Sequence, residues 1–285
     1  MADFKNARLI WRLWSDTSFG GSITSTTSEA GNMLKENLQS VQPSEPWRSN
    51  GFADQTIVFD LGTPRPIRGL YIGKNNFDPG DTVQLEIATD SGFSNIIHDE
   101  TFEGKSSVYG LGEQPLGTDG LGGYDDDAVD APYNLKWFEE AGAQYARVTL
   151  SGKTSGYYQM GRIALFDWFS PEGGNIAWGY DLDVEQLSSG QRGQDGAWFA
   201  NDKGDFRRIT GRWENALTAN DEKELYQMRR KVKNNLNVIW CGYPESSDET
   251  EEQNHTFLGV VESMSGVSRS NAIYRNGAIT IAEVN

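Results

Sequence analysis

The sequence predicts a mainly β protein of two domains, the second of which carries one amphipathic helix. Glycine is abundant, with 32 residues among 285, and aromatic residues make up 12% of the chain. Short β-branched and aromatic runs alternate with Gly- and Pro-rich turns, which is typical of sheets built from many short strands. One segment has apolar residues at clear helical spacing. These three observations together predict the fold class.

The clearest strand signals surround a Gly/Pro turn. Residues 56–61 form an apolar and β-branched run, Gly62 ends it, and residues 67–72 form a second run. Two such runs across a turn predict paired strands. Asp60 ends the first run, where its carboxylate is expected to accept N–H bonds from the turn. Trp47, just upstream, is expected to cover one end of a sandwich core.

The other strands of the first domain are predicted from similar patterns, at residues 8–14, 82–88, 96–102, 145–150 and 161–168. Residues 33–41 fit either a short helix or an extended stretch, and residues 133–141 are expected to form a turn of helix. Residues 103–132 are rich in Gly and Asp and have almost no apolar periodicity. They indicate a long surface insertion, and loops of this length are usually functional or mobile.

Several of these segments resemble a known family. They are residues 47–49, 57–62, 67–72, 83–88, 91–93, 143–150 and 161–167. Over about residues 30–168, with an interruption at about 103–135, the chain is similar to the discoidin family, also called the coagulation-factor C-type domain. The resemblance implies a jelly-roll β-sandwich. Modules of this fold bind sugars, lipids or proteins, or are purely structural, so the fold alone implies no single function.

Pro/Gly punctuation at residues 170–174 predicts a domain boundary, giving domains 1–170 and 171–285. The second domain is expected to be a β-sandwich or barrel with one packed helix. Its strands are predicted at residues 178–184, 206–213, 237–243, 256–265 and 278–284.

The helix is predicted over residues 219–235. Thr218 precedes Asp221 by three residues, which is a capping-box pattern. An apolar stripe follows at spacings of three and four residues, formed by Leu225, Met228, Val232 and Leu236. Acids in the first turns and bases in the last also suit the helix dipole.

The second domain resembles the tail-tube and distal-tail proteins of bacteriophages, on residues 205–209, the capped helix and residues 277–285. This resemblance implies a structural component of a phage tail tip or baseplate, made in the host cytoplasm and located in the virion. The second domain would form a homo-oligomeric ring that contacts other tail proteins. The jelly roll would project outward as decoration or as a contact to a host surface glycan.

Composition and short motifs exclude several classes of function. The net charge of −16 opposes binding to nucleic acid or anionic lipid. Cys241 is the only cysteine, so the chain forms no internal disulfide. Residues 1–14 carry charges and lack the pattern of a signal peptide, and no segment approaches the ~18 apolar residues of a membrane helix.

The sequence predicts no enzyme. His98 and His255 have no metal-ligand spacing, and no nucleophile elbow, P-loop or Rossmann glycine pattern is present. A glycosidase needs only two carboxylates, however, so an enzyme acting on surface polysaccharide stays a third hypothesis.

Two candidate sites follow from loop composition. Clustered carboxylates could bind Ca²⁺, although the spacing is not that of an EF-hand and a solvated acidic loop explains them as well; they are Asp119, Asp125, Asp126, Asp127 and Asp130. Tyrosines in Gly-rich loops could stack on sugar rings or pack beneath their own loops; they are Tyr109, Tyr124, Tyr157 and Tyr158. The second site gives the alternative function, a carbohydrate-binding accessory protein that recognises cell-surface glycans.

Overall fold

The computed structural model describes residues 6–105, 133–172, 176, 180–187, 189–192, 198–201, 205–233, 235–246, 249–269 and 273–284. Strands dominate these residues, which confirms the mainly β prediction. The chain divides into two compact units. The N-terminal unit comprises Arg12–Trp168 and Asp248–Asn254, and the C-terminal unit comprises Met1–Trp11, Phe169–Ser247 and His255–Asn285.

The described strands follow in chain order: β1 (Arg8–Leu13), β2 (Ser22–Thr26), β3 (Trp47–Arg48), β4 (Gln55–Gly73), β5 (Thr82–Ala88), β6 (Ile96–Glu103), β7 (Tyr133–Ser151), β8 (Gln159–Met160), β9 (Arg162–Phe169), β10 (Asp181–Gln186), β11 (Ser189–Arg192), β12 (Trp198–Asn201), β13 (Asp205–Leu217), β14 (Asn237–Cys241), β15 (Thr256–Met264), β16 (Ser268–Arg269) and β17 (Arg275–Glu283). The α-helices are α1 (Ala219–Val232) and α2 (Glu249–Asn254), and short 3-10 helices span Thr17–Phe19 and Lys35–Gln39.

The N-terminal unit is an antiparallel sandwich. Its strands pair in the order β9-β4-β7-β5-β6, with β2 beside β4 and a separate β3–β8 ladder. The register between β4 and β7 shifts between Asp60 and Arg65. Such irregularities bend strands, and this one lies near the middle of both β4 and β7. The core between the layers includes Trp47, Phe59 and Leu165, none of which is exposed, so Trp47 lies in the core as expected.

The two runs predicted to pair with each other belong to one strand, β4, so that prediction was wrong. Both runs pair with β7: Ile57 lies opposite Val148, and Ile72 lies opposite Asn134. The Gly/Pro segment between them therefore bends the strand and does not reverse it. Asp60 behaves as expected, because its carboxylate accepts the Gly62 N–H at 2.8 Å.

Of two other segments in this unit, one contradicts its prediction and the other decides between two alternatives. Residues 133–141 are not a turn of helix but the first half of β7, because Tyr133 pairs with Gly73 and the following residues continue the same ladder. Within residues 33–41, where helix and extended chain were both open, Lys35–Gln39 forms a 3-10 helix with Leu38 buried.

The C-terminal unit contains a second antiparallel array, in the order β10-β13-β17-β15-β14-β1, with β16 beside β17 and a β11–β12 hairpin. β1 pairs with the fully buried β14, so that Leu9 lies opposite Trp240. Residues up to Trp11 thus belong to this unit, whereas the predicted boundaries placed them in domain 1–170. The partner strand lies more than two hundred residues downstream, which no local pattern reveals.

Helix α1 is the element that the sequence predicted best. The Thr218 hydroxyl accepts the Asp221 N–H, and the Asp221 carboxylate accepts the Thr218 N–H, which completes the capping box. Leu225, Met228 and Val232 form its buried stripe. The helix ends at Val232, three residues before the predicted end.

Candidate ligand-binding site

The short β3–β8 ladder builds the candidate site. Trp47 pairs with Met160, and Arg48 pairs with Gln159. Because neighbouring residues of a strand point to opposite sides, the first pair is fully buried and the second is half-exposed on the outer side.

The same alternation separates the two predicted tyrosines. Tyr158 is 0% exposed, its hydroxyl accepts the Lys153 N–H at 3.1 Å, and its ring meets the Phe77 ring edge to face. The expectation of an exposed ring at Tyr158 was therefore wrong. Burial raises the pKa of the Tyr158 hydroxyl, against the opposing hydrogen bond from the Lys153 N–H. Tyr157 is half-buried and points outward.

The Arg48 guanidinium lies over the Tyr157 ring, 4.0 Å from the centroid. Arg48, Tyr157 and Gln159 together form what we call the Arg48–Tyr157 face. It combines an aromatic ring, a cation and an amide within one small outer surface of the sandwich.

Asn76 holds the Tyr157 side of this face from a neighbouring loop. Its amide nitrogen donates to the Tyr157 carbonyl at 2.9 Å, and its amide oxygen accepts the Gln159 N–H at 2.7 Å. The Asn76 N–H also donates to the Gln159 carbonyl. These bonds fix the backbone on both sides of Tyr158, so the outward side chains start from a fixed main chain.

Ser49 fixes the other side of the face. Its N–H donates to the Tyr158 carbonyl at 2.9 Å, and its hydroxyl accepts the Tyr158 N–H at 2.9 Å. The hydroxyl also donates to the Gly51 carbonyl at 2.6 Å, which orders the start of the loop that carries Phe52. Phe52 is 51% exposed, so this loop presents a second aromatic ring to solvent.

A buried ion cluster lies behind the same loops. The Lys153 ammonium donates to Asp78 Oδ2 at 2.6 Å, to Asp81 Oδ2 at 3.0 Å and to the Asn76 carbonyl at 3.0 Å. The Lys153 and Asp81 side chains are almost fully buried. Burial lowers the pKa of Lys153, but the hydrogen bonds to Asp78 and Asp81 outweigh it and raise the pKa overall.

The remaining predicted site residues lie outside the described part of the chain. They are Tyr109, Tyr124, Asp119, Asp125, Asp126, Asp127 and Asp130. The calcium hypothesis therefore stays a prediction. Within the described residues, no group of three or more His, Cys, Asp or Glu side chains is arranged to hold a metal ion.

Two grooves of the C-terminal unit offer no pair of acids. One groove contains a single carboxylate, Glu214, and the other contains only Glu262. The two histidines have other contacts: His98 stacks on Phe138, and His255 Nδ1 shares a 2.7 Å hydrogen bond with the Tyr180 hydroxyl. These grooves and histidines provide no catalytic constellation.

In the described ranges of the chain, no helix has both the length and the apolar character needed to cross a bilayer.

Comparison with known proteins finds similarity only at the level of structure. No protein-family model matches the chain, and no curated protein sequence matches it. The solved structures that resemble part of it include carbohydrate-binding modules of family 32, which have the discoidin-like jelly-roll fold.

A Clostridium perfringens module from a family 31 glycoside hydrolase is 16% identical with a TM-score of 0.37, covering 54% of this chain and 92% of the module. The C. perfringens NanJ module, solved with galactose, is 15% identical with a TM-score of 0.36, covering 57% and 98%. The AlyQ module, solved with 4,5-unsaturated mannuronic acid, is 19% identical with a TM-score of 0.33, covering 51% and 95%. At these values the similarity assigns no function to this chain.

Sequence reasoning missed three residues of the site. Arg48 was noted only as part of the family resemblance, and Asn76 and Gln159 were not singled out. A signal for Arg48 was available, because a residue that follows a buried Trp on a strand must point outward. The role of Asn76 depends on two chain segments that meet only in the fold, so no local pattern indicates it.

Proposed function

We propose that the N-terminal unit is a carbohydrate-binding module and that the sugar binds at the Arg48–Tyr157 face. One observation carries this proposal: a ring, a guanidinium and an amide share one outward surface whose backbone is held by Asn76 and Ser49. These groups suit sugar recognition, because an aromatic ring packs against the apolar face of a sugar while polar side chains bind its hydroxyls.

Each side chain has a separate task. The exposed part of the Tyr157 ring receives the C–H face of the sugar. The Gln159 amide can donate to one hydroxyl and accept from another, and the Arg48 guanidinium only donates. Because the supporting backbone is already fixed, little conformational entropy is lost on binding.

Glycan-array screening followed by titration calorimetry tests this proposal with Tyr157→Ala. We expect the variant to bind its best glycan at least about fivefold more weakly, because loss of a stacking ring costs on the order of 1 kcal/mol or more. Phe93→Ala is the matched control. Phe93 also lies against an arginine, Arg147, with the guanidinium 4.4 Å from the ring centroid, but it does not belong to the Arg48–Tyr157 face.

Two results would contradict the proposal. One is a folded wild-type protein that binds no glycan on the array. The other is a glycan whose affinity is equally reduced by Phe93→Ala and by Tyr157→Ala, since binding would then not depend on the proposed face.

The proposed module is non-catalytic, so incubation with the bound glycan should release no new reducing ends.

The hypothesis of a phage tail-tip or baseplate component, with a homo-oligomeric ring formed by the second domain, stays a prediction. Mass spectrometry of intact virions tests it together with the predicted virion location. A virion without this chain, or a purified protein that stays monomeric at high concentration, would contradict it.

A further inference from the structure

From the electrostatics of the Arg48–Tyr157 face, we infer that its sugar ligand carries a carboxylate and that Arg48 binds this group. This inference rests on the proposed function and adds the chemical class of the sugar.

Among the described residues of the N-terminal unit, four arginines lie over aromatic rings, and three of these four have an oxygen acceptor. Arg147 makes two hydrogen bonds with the Glu86 carboxylate, at 2.6 and 2.7 Å. Arg68 binds the Glu140 carboxylate, and Arg65 donates to the Phe19 carbonyl at 3.3 Å. Each of these guanidinium groups is thus partnered within the unit.

Arg48 is the exception. Its guanidinium has no ion pair or hydrogen bond with any described residue, and its Nε is buried without a partner. Only the backbone of Arg48 is hydrogen-bonded to the neighbouring loop. Its N–H donates to the Met33 carbonyl, and its carbonyl accepts the Ala30 N–H. The chain has 41 acidic and 25 basic residues, yet none of the described carboxylates pairs with Arg48.

An incoming carboxylate would complete this arrangement. A guanidinium presents parallel N–H donors that match the two oxygens of a carboxylate, and such charge-assisted pairs are about twice as strong as neutral hydrogen bonds. A neutral sugar hydroxyl could accept from Arg48 but would leave its charge uncompensated.

The charge of the whole chain restricts the ligand further. A net charge of −16 repels polyanions at long range, so the attraction must come from short-range contact with Arg48. A uronic acid unit fits this requirement because it combines one carboxylate with a ring face for Tyr157.

The test compares pairs of ligands that differ only in charge. Titration calorimetry of the full chain would use trisaccharides of galacturonate, mannuronate and glucuronate together with their methyl esters. We expect at least one acid to bind about tenfold or more tightly than its ester, and its affinity to fall as salt is raised. Arg48→Gln should bring the acid-to-ester ratio close to one, and Arg48→Lys should retain part of it.

Arg68→Gln is the control, because it removes the same charge from the same unit at an arginine that already has acidic partners. It should leave the acid-to-ester ratio unchanged. Thermal melting would show that each variant is folded.

The possible failures are distinguishable. If acids and esters bind equally and Tyr157→Ala weakens both, the proposed function stands and the acidic ligand is overturned. If only neutral glycans bind, the inference is likewise overturned. If no trisaccharide and no arrayed glycan binds, both the proposed function and the acidic ligand are overturned. If Arg68→Gln lowers the ratio as much as Arg48→Gln, net charge explains the preference and the role of Arg48 is overturned.

Discussion

Lys153 places an ammonium group where two carboxylates and a backbone carbonyl converge behind the candidate site. Asp81 is 2% exposed, and such a buried carboxylate needs a counter-charge. The lysine supplies this charge from within the chain, on the loop that leads to Tyr157 and Tyr158. The order of the site therefore depends on an internal cation.

Replacing this cation should destabilise the N-terminal unit. Lys153→Met keeps much of the side-chain volume but leaves Asp81 buried without its partner, so we expect a loss of about 3 kcal/mol or more in the free energy of unfolding. Urea denaturation would measure it. Lys35→Met is the control, because Lys35 makes no ion pair among the described residues. Equal stability of the two variants would show that the cluster contributes little.

The candidate site shows how far sequence reasoning reaches at the scale of single residues. The sequence pointed to Tyr157 and Tyr158 together because both lie in a Gly-rich loop. The structure assigns them opposite environments, since adjacent residues of an extended chain cannot face the same side. The sequence alone indicates that the two side chains point to opposite sides if this segment is extended. The decision as to which tyrosine points inward depends on the pairing of Met160 with Trp47, which is a long-range contact.

At the scale of elements, prediction succeeded where the determining interactions are local. Helix α1 is specified by its cap, its apolar stripe and its charge order, all within about fifteen residues. β4 is specified by pairing with β7, about eighty residues away, so its Gly/Pro segment was interpreted as a reversal when it is a bend. The first half of β7 was mispredicted for the same reason.

The cap of α1 gives a quantitative test. Thr218→Ala removes the acceptor for the Asp221 N–H, and loss of an N-cap residue costs about 1 kcal/mol. We expect that decrease in the free energy of unfolding of the C-terminal unit, measured by denaturant titration. Ser263→Ala, at an exposed position on β15, should change it by less than about 0.5 kcal/mol. An unchanged stability of Thr218→Ala would mean that the capping box is energetically unimportant here.

At the scale of the whole molecule, the excess of acid dominates. A net charge of −16 destabilises the compact state by self-repulsion, which weakens as carboxylates bind protons. Two buried aspartates also make the folded state more stable as the pH falls, because their pKa values are raised. Burial raises the pKa of Asp167, against the opposing effects of Arg12 and Arg68. Burial also raises the pKa of Asp16 from 3.8 to about 6, although the Arg162 guanidinium binds its carboxylate.

The sign of the resulting pH dependence follows from proton binding. Between pH 4 and pH 6 the folded protein holds a proton on Asp16 that the unfolded chain releases. The free energy of unfolding must therefore rise as the pH falls through about 6, by up to about 3 kcal/mol for a difference of roughly two pKa units. We expect the protein to be more stable at pH 5.5 than at pH 8, as measured by urea denaturation across that range.

Asp16→Asn identifies the contribution of this one group. The amide oxygen can still accept a hydrogen bond from Arg162, but the side chain no longer titrates, so the rise in stability between pH 8 and pH 5.5 should become smaller. Asp54→Asn removes the same formal charge from an exposed position and should leave the profile nearly unchanged. If stability instead rises toward pH 8 in the wild type, the Arg162 charge must hold Asp16 ionised. The buried pair would then stabilise the fold most at neutral pH, because the attraction of Arg162 for the ionised carboxylate would exceed the cost of burying it.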